Sequence, residues 1–500
     1  MRNIFRYIPL LSLLAVVACS TQVPREYETV NALPAVFPEY TNVTIPCNIA
    51  PLTFRIENEA EDYVTSFKVG DKETLVAGSE VALSMDEWNG LLAEAKGDSI
   101  KIDVFARVAG GWRKYNTFAF IVSEDEVDPY ISYRLIPPSY VAYEKLTINQ
   151  RALSNYDEDV IFSNQMINAE PNGLCINCHA YKNYRTDNMQ FHVRQTLGGT
   201  VFVHNGEMKK VNMKCDSTIS AGVYPSFNPK YDLVAYSVNT TGQVFHTRHA
   251  NKVEVQDTLS DIIVYNPVAE TVTKVASDPN ALEVFPTWSP DGETLYYCVA
   301  DVECDDPSKT RVTQLVEGYK DIKYDIVRRS WNPVTGTFGN VDTVFLATAL
   351  GKSATFPRVS PCGKFLLFAL GEYGCFHIWH KDADLYLLSL EDGTYWPLEK
   401  ANSPFAESYH SWSSNGRWIL FASRRKENNY SRLYLAHVNA DGSSDKAFVL
   451  PQRTSGHYDF FDRSYNVPEF MIEPVSITPQ EFAEVVKGEP VSVKYSSNAK

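Results

Sequence analysis

The stretch Phe285-Pro286-Thr287-Trp288-Ser289-Pro290-Asp291-Gly292 decides the fold of this 500-residue chain. Its second half predicts a tight turn, because Pro fixes one backbone angle and Gly permits left-handed ones. The run Leu295-Tyr296-Tyr297 follows directly. It predicts a strand, since aromatic and branched side chains favour extended backbone. An aromatic-Pro pair, a turn and a strand therefore form one structural unit.

The unit occurs in three further copies, at intervals of about 50 to 70 residues. An apolar strand follows each copy, and Asn-Pro or Asp-Gly turns close the strands that come later. The copies are Tyr224-Pro225-Ser226-Phe227-Asn228-Pro229, Phe356-Pro357-Arg358-Val359-Ser360-Pro361-Cys362-Gly363 and Tyr409-His410-Ser411-Trp412-Ser413-Ser414-Asn415-Gly416. Each repeat predicts a small sheet of about four antiparallel strands.

A sheet of that size cannot bury both faces alone, and radial packing into a β-propeller solves the problem. The four copies resemble the WD40-like repeats of the TolB propeller family, and the copy at Phe285–Gly292 matches that signature almost completely. The resemblance covers roughly residues 195 to 470, with departures at Cys362 and Ser414-Asn415. It implies a protein-binding propeller with a central channel. A β-sandwich with repeated hairpins is the alternative fold.

Four blades are clear, and two more segments predict strands of one or two further blades. These segments are Thr200–Val203 and Ala447–Leu450, and joining strands from the two ends of the propeller would close one such blade. The predicted fold class is mainly β. Its parts are an export signal at residues 1–19, a β-sandwich-like domain at 20–130, a Tyr-rich linker at 131–198, a TolB-like propeller at 199–470, and a helix and tail at 471–500.

Local patterns outside the repeats support these divisions. Leu52–Ile56 and Ile100–Phe105 alternate apolar and polar residues, which predicts half-buried strands in the N-terminal domain. Asp86–Ala95 has helical spacing. Near the C-terminus, Thr478 and Glu481 form a capping box with Pro at the first helical position, so a helix should begin there and end near Gly488.

The charge balance excludes one class of function. Lys and Arg number 46 against 61 Asp and Glu, a formal net charge of −15. Such a chain repels phosphate backbones, so we do not expect it to bind nucleic acid.

The first residues predict export and lipidation. Arg2 and Arg6 precede the apolar run Ile8–Val17, which suits a signal peptide and is too short to span a bilayer. Val16-Val17-Ala18-Cys19 then resembles the lipobox of bacterial lipoproteins, in which the Cys carries the lipid. We therefore expect an anchor at Cys19 in the bacterial cell envelope, with the outer membrane favoured and the folded domains in the periplasm or at the cell surface. The alternative is an ordinary cleaved signal.

The sharpest chemical signal is Cys175-Ile176-Asn177-Cys178-His179, which has the form of the c-type haem attachment motif. With 9 Cys and 10 His in 500 residues, chance placement predicts about 0.003 such motifs. The two thiols would attach to the porphyrin vinyl groups, and His179 would bind the iron as proximal ligand. The sequence thus predicts one haem c. A disulfide or redox pair between the two Cys and a zinc site are the alternatives.

His192 and Met189 are the candidates for the sixth iron ligand, since both follow the motif closely enough to fold back over a haem plane. Either type of side chain serves in cytochromes. A vacant or remote sixth position is the third alternative.

Two main functions follow from these features. The first is electron transfer or redox sensing by a haem-bearing envelope lipoprotein whose propeller docks a partner protein or redox partner. The second is a non-haem propeller that scaffolds an envelope complex or holds a ligand in its channel. A haem enzyme such as a peroxidase is a weaker third. No Gly-x-Ser-x-Gly motif occurs, so the sequence does not predict a prolyl peptidase, and no catalytic residue is assigned.

Overall fold

The computed structural model describes residues 21–137, 145–167, 174–246, 248–249, 251–426 and 428–499. The predicted signal and lipid attachment site, Cys19 included, lie outside the described residues. Within the described ranges, no helix is both long and apolar enough to cross a bilayer.

An N-terminal domain with strands and one helix comes first. Its strands are β1 (Glu28–Thr29), β2 (Val36–Phe37), β3 (Val43–Pro46), β4 (Phe54–Ile56), β5 (Asp62–Val69), β6 (Lys72–Ala77), β7 (Glu80–Val81), β8 (Ser99–Val108), β9 (Gly111–Lys114) and β10 (Phe118–Ser123). Helix α1 spans Met85–Ala95, between β7 and β8. A seven-stranded sheet and a three-stranded sheet share one apolar core.

Helix α1 forms where the sequence predicts it. Ser84 caps its N-terminus in a capping box with Glu87, which satisfies two backbone donors. Trp88, Leu91 and Leu92 are buried on its inner face, and the Trp88 indole donates to the carbonyl oxygen of Ile49 at 2.8 Å.

Strands make up most of the remaining chain, and nearly all of them pair in antiparallel fashion. They are β11 (Tyr130–Ile136), β12 (Thr147–Ala152), β13 (Glu158–Ser163), β14 (Ile176–Lys182), β15 (Arg185–Val193), β16 (Gly199–His204), β17 (Glu207–Asn212), β18 (Val223–Phe227), β19 (Val234–Phe245), β20 (Val253–Asn266), β21 (Thr271–Ala276), β22 (Ala281–Trp288), β23 (Thr294–Asp301), β24 (Asp325–Asn332), β25 (Thr337–Phe338), β26 (Asp342–Phe345), β27 (Ser353–Val359), β28 (Phe365–Gly371), β29 (Asp384–Ser389), β30 (Tyr395–Pro397), β31 (Glu407–Trp412), β32 (Trp418–Ser423), β33 (Arg432–His437), β34 (Phe448–Val449), β35 (Ser464–Met471), β36 (Val491–Ser492) and β37 (Lys494–Tyr495). Three helices accompany them, namely α2 (Arg311–Glu317), α3 (His457–Phe460) and α4 (Pro479–Lys487). Short 3-10 turns lie at Asn164–Met166, Gln195–Leu197, Thr348–Leu350 and His377–Trp379.

These strands form six sheets in the described part of the chain, and the sheets are the blades of a propeller. Blade 1 is β35-β11-β12-β13, blade 2 is β14 to β17, blade 3 is β18 to β21, blade 4 is β22 to β26, blade 5 is β27 to β30 and blade 6 is β31 to β34. Each inner strand contacts the inner strands of both neighbouring blades, so the ring is closed. Blade 1 takes its inner strand from the C-terminal side and its other strands from the N-terminal side, so one blade joins strands from both ends. The two segments predicted for further blades are not part of it: Thr200–Val203 lies in β16 of blade 2, and Ala447–Leu450 contains β34 of blade 6.

The predicted linker at residues 131–198 is wrong as a description of that segment. Strands β11, β12 and β13 are the outer three strands of blade 1, and β14 and β15 are the inner strands of blade 2. The propeller therefore begins near Tyr130 rather than residue 199. Several polar and charged residues of this segment lie within strands, such as Arg134 in β11, Asn149 in β12 and Asp187 in β15, so its composition did not mark it as loop.

A bulge at one position of each inner strand explains the repeat. One residue per inner strand has a positive φ, and the pairing register with the next strand shifts there. In blade order these residues are Val467, Cys178, Tyr224, Phe285, Phe356 and Tyr409, and the residues that follow them are Pro468, His179, Pro225, Pro286, Pro357 and His410. Cys178-His179 is thus the blade 2 counterpart of the aromatic-Pro pair.

The N-terminal domain packs on the outside of blade 6. Its core is continuous with Trp418, Leu420 and Leu433 of that blade. The Trp418 indole donates to the carbonyl oxygen of Asp125 at 3.1 Å, and the Asp125 carboxylate accepts from Arg417 at 3.0 Å. The two parts of the chain therefore share buried surface.

The C-terminal segment ties the outer edge of the propeller. Helix α4 has the predicted capping box of Thr478 and Glu481 and ends at Lys487, before Gly488. Phe482 of α4 packs edge-to-face on Phe191 of blade 2, with ring centroids 5.2 Å apart. Strands β36 and β37 then add in parallel to the outer edges of blades 2 and 3.

A buried carboxyl group on blade 4 predicts a measurable pH effect. The Glu283 side chain accepts from the N–H of Asp278 at 3.2 Å, and burial raises its pKa to about 7. A carboxyl group whose pKa is higher in the folded state contributes its full stabilisation below the unfolded pKa. This contribution is lost as the pH rises through 7. We therefore compare the free energy of unfolding of Glu283→Gln with that of the native chain. The difference should shift in favour of the variant by up to about 3 kcal/mol when the pH is raised from 5 to 8. Urea unfolding at both values tests this, and an unchanged difference would contradict it.

Candidate functional site

The channel of the propeller opens at one end into a cavity of about 380 Å³, here called the mouth cavity. Cys175 and Asn177 of blade 2 line it, opposite Phe376 and Trp379 of blade 5 and Tyr409 of blade 6. Its volume lies in the usual range for small-molecule sites, about 300 to 1,000 Å³.

A ring of six side chains narrows the channel below the mouth cavity. The four aromatic members pack against one another, with centroid distances of 4.6 Å for Tyr224–Phe285, 3.8 Å for Phe285–Phe356 and 4.8 Å for Phe356–Tyr409. The two smaller members, Cys178 and Val467, lie side by side on blades 2 and 1. The free volume at this level is only about 50 Å³.

The predicted haem motif spans two levels of this channel. Cys175 precedes β14 at the wall of the mouth cavity, and its N–H donates to the Gln195 side chain at 2.8 Å. Cys178 belongs to the ring, and burial raises the pKa of its thiol. His179, the next residue along β14, lines the same 50 Å³ volume as Cys178. The structure therefore brings all three residues to the channel side of blade 2.

The His179 imidazole is buried, with 1% of the residue exposed. Neither of its ring nitrogens meets hydrogen-bond geometry with a partner in the described part of the chain. Burial, with the positive charge of Arg134 as a second cause, lowers the pKa of His179 to about 3, although backbone groups of Val467 and Ser132 act in the opposite direction. The ring is neutral at physiological pH.

The two predicted sixth ligands lie away from the cavity. On β15, Met189 faces the core between blades 1 and 2, with Phe191 and Val193. His192 lies on the opposite face, beside Asn177 in the strand register, and its Nδ1 is 3.1 Å from Thr200 Oγ1. Neither residue is among the described residues that line the mouth cavity or the ring. Met189 and His192 therefore face opposite sides of β15, because side chains alternate along a strand.

Three arginines make the mouth cavity positive, and sequence reasoning missed them. Arg134 comes from blade 1, Arg194 from the end of β15, and Arg424 from the end of β32. No Asp or Glu occurs among the described lining residues. Arg424 stacks on Trp379 at 3.5 Å. Because guanidinium groups pair well with carboxylates and phosphates, the cavity suits an anionic ligand.

A long hairpin forms one wall of the mouth cavity. Strands β19 and β20 are 12 and 14 residues long, and Gln243 and Val255 of this hairpin face the cavity. The buried pair of Glu254 and His380, with 3.2 Å between Oε2 and Nε2, fastens the hairpin to blade 5. This pair therefore holds the hairpin, and the part of the cavity wall that it forms, against blade 5.

Within the described ranges, no group of three or more His, Cys, Asp or Glu is arranged to hold a metal ion. Cys175 and Cys178 are both free thiols there. The disulfide alternative is therefore not formed in this structure.

The fold and the channel define the chain as a β-propeller protein. No protein-family model matches it, and no curated protein is similar to it in sequence. Similar solved structures include oligogalacturonate lyase from Vibrio parahaemolyticus, with 11% identity, a TM-score of 0.33, and 82% of this chain and 100% of that chain covered. The β-propeller domain of the Trilobed protease from Pyrococcus furiosus has 10% identity and a TM-score of 0.32, and covers 83% of this chain and 97% of its own. These likenesses concern the fold, so function is argued from this chain's own residues.

Proposed function

We propose that this chain is a lipid-anchored propeller of the bacterial cell envelope that carries one covalently bound haem. Its function is electron transfer or redox sensing, and the propeller is the docking surface for a protein partner. The observation that carries the proposal is the position of Cys178 and His179 on the inner strand β14, with Cys175 directly before it at the wall of a cavity of about 380 Å³.

The donor set fits a haem c. Two thiols separated by two residues supply the attachment atoms, and the neighbouring imidazole supplies an iron ligand. Neither His179 nitrogen meets hydrogen-bond geometry with a described partner, so no strong contact has to be broken. A bound haem would supply one-electron chemistry at this position.

The available space indicates where a macrocycle would lie. The mouth cavity has the volume of a ligand site, whereas about 50 Å³ next to His179 does not hold a porphyrin. Iron binding by His179 therefore requires the ring to open.

The arginines of the mouth cavity would stabilise the acidic groups of the haem. Arg134 is 7% exposed, and a buried guanidinium is stabilised by a carboxylate partner. Arg194 and Arg424 line the same cavity from blades 2 and 6. Arg134 and Arg194 would bind the propionates, whereas the Arg424 guanidinium already donates to the carbonyl oxygens of Asn428 and Asn429, at 3.0 Å and 2.6 Å.

A haem-stained denaturing gel tests the proposal, on protein exported from a host with a cytochrome c maturation system. We expect the native chain to stain and Cys175→Ser/Cys178→Ser to lose the stain completely, because no thioether can form. Cys215→Ser is the matched control, since Cys215 is half-buried and lines neither the mouth cavity nor the ring, and it should keep the stain. An unstained native chain with a normal circular dichroism spectrum would contradict the proposal.

The second candidate function is a non-haem binding module that holds an anionic ligand in the mouth cavity. The three arginines and the absence of acidic residues among its described lining favour it. An unstained native chain whose binding of a dicarboxylate is lost in Arg134→Gln would establish this alternative.

A further inference from the structure

A second concave site lies beyond the tip of the β19–β20 hairpin, and we call it the lysine cleft. It is open, with a volume of about 690 Å³, and shares no lining residue with the mouth cavity among the described residues. Its basic residues are Lys320, Lys323, Lys352, Lys381 and His249.

The four lysines form no ion pair within 4.0 Å in the described part of the chain. Some other lysines are paired, as in Lys182–Asp232 at 2.9 Å and Lys309–Glu317 at 2.6 Å. The chain has a formal net charge of −15. Four unpaired ammonium groups around one concavity therefore form a positive site on a negative protein.

The acidic residues of the cleft do not neutralise it. Glu372 and Asp382 are in its lining, and the Asp382 carboxylate accepts from the N–H of Glu372 at 2.6 Å. Asp384 also interacts with Lys352, so three carboxyl groups stand against four lysines and the cleft keeps one excess positive charge.

The loops that carry the lysines are tied together. The N–H of Gly374 donates to the Ile322 carbonyl at 2.8 Å, which joins the loop of Lys320 and Lys323 to blade 5. The N–H of Lys381 donates to Asn251 Oδ1 at 3.2 Å, and Asn251 Nδ2 donates to the Tyr373 hydroxyl at 3.3 Å. The cleft is therefore held before any ligand arrives, which lowers the ordering cost of binding.

We propose that the lysine cleft binds the phosphate groups of a multiply phosphorylated anion. An ammonium group acts as a point charge that suits tetrahedral phosphate, and several such groups favour a ligand with more than one phosphate. Recognition is by charge, so binding weakens as salt screens it. This site is independent of the haem proposal.

Titration calorimetry with tripolyphosphate tests the site on the full folded chain. We expect Lys323→Gln/Lys352→Gln to weaken binding by about tenfold, because two charges that face the ligand are lost. The matched control is Lys364→Gln/Lys400→Gln, which makes the same charge change at exposed positions on blade 5 outside the cleft. Equal loss in both variants would overturn the proposal, and so would no binding by the native chain.

A second experiment distinguishes a lipid headgroup from a soluble phosphate compound as the ligand. Sedimentation with phosphatidylglycerol vesicles, compared with phosphatidylcholine vesicles, is measured for the same variants without the lipid anchor. Vesicle binding that Lys323→Gln/Lys352→Gln abolishes supports the site with a lipid headgroup as ligand. Binding of tripolyphosphate without binding of vesicles supports the lysine cleft as a site for a soluble ligand. Vesicle binding that Lys323→Gln/Lys352→Gln leaves unchanged counts against the lysine cleft as the site.

Discussion

Ending the chain after Arg463 is expected to abolish the cooperative unfolding transition of the propeller. The truncation removes β35, which pairs with β11 from Tyr130↔Met471 to Ile136↔Ser464. It removes the inner strand of blade 1, and with it the contacts to the inner strands of blades 2 and 6. The remaining strands of blade 1 would then expose an unpaired edge and a large apolar face.

A nested truncation is the control. A chain that ends after Gly488 loses β36 and β37 but keeps every strand of the six blades, so we expect a cooperative transition at a modestly lower temperature. Differential scanning calorimetry compares the two chains. A normal transition in the chain that ends at Arg463 would show that closure through β35 is not needed.

Trp418→Ala is expected to cost about 3 to 5 kcal/mol of unfolding free energy. Trp418 is fully buried at 0% exposure, in the core that joins the N-terminal domain to blade 6. The substitution leaves a large cavity there. It also removes the indole donor of the Asp125 carbonyl oxygen.

Urea unfolding measures this loss against Phe460→Ala. Phe460 is 91% exposed, so its removal should change the free energy by less than about 0.5 kcal/mol. Equal effects of the two substitutions would mean that the N-terminal domain and blade 6 do not share a core.

The repeats that resemble TolB are the part of the fold that could be predicted from the sequence. An aromatic residue followed by a turn is a local pattern, and it marks blades 3 to 6 at Tyr224, Phe285, Phe356 and Tyr409. Pro follows the aromatic residue in blades 3 to 5, and His410 follows it in blade 6. Helix α4 was equally predictable, because a capping box and an N-terminal Pro act within one turn.

Blades 1 and 2 were hidden for a physical reason. Their bulge positions hold Val467 and Cys178, which lack the aromatic ring that marks the other four. In blade 1, Val467 lies on β35, more than 300 residues along the chain from its partner strand β11. A backbone bulge constrains φ more than it constrains the side chain. The residue type therefore differs at this position in blades 1 and 2, although the bulge is present in all six blades.

The candidate site was predictable only in its local part. Cys175, Cys178 and His179 stand together in sequence, so their proximity needed no fold. Arg134, Arg194 and Arg424 meet only because blades 1, 2 and 6 are neighbours around a closed ring. His192 and Met189 were chosen by sequence distance alone, and strand alternation then placed them on opposite faces of β15.

The central claim is that Cys178-His179, the blade 2 form of the aromatic-Pro pair, also completes a haem attachment site. The measurement that tests it most directly is the intact mass of the exported protein after denaturation, reduction and thiol alkylation. We expect a mass increased by that of one haem, with Cys175 and Cys178 both resistant to alkylation. An unmodified polypeptide in which both thiols react would contradict it.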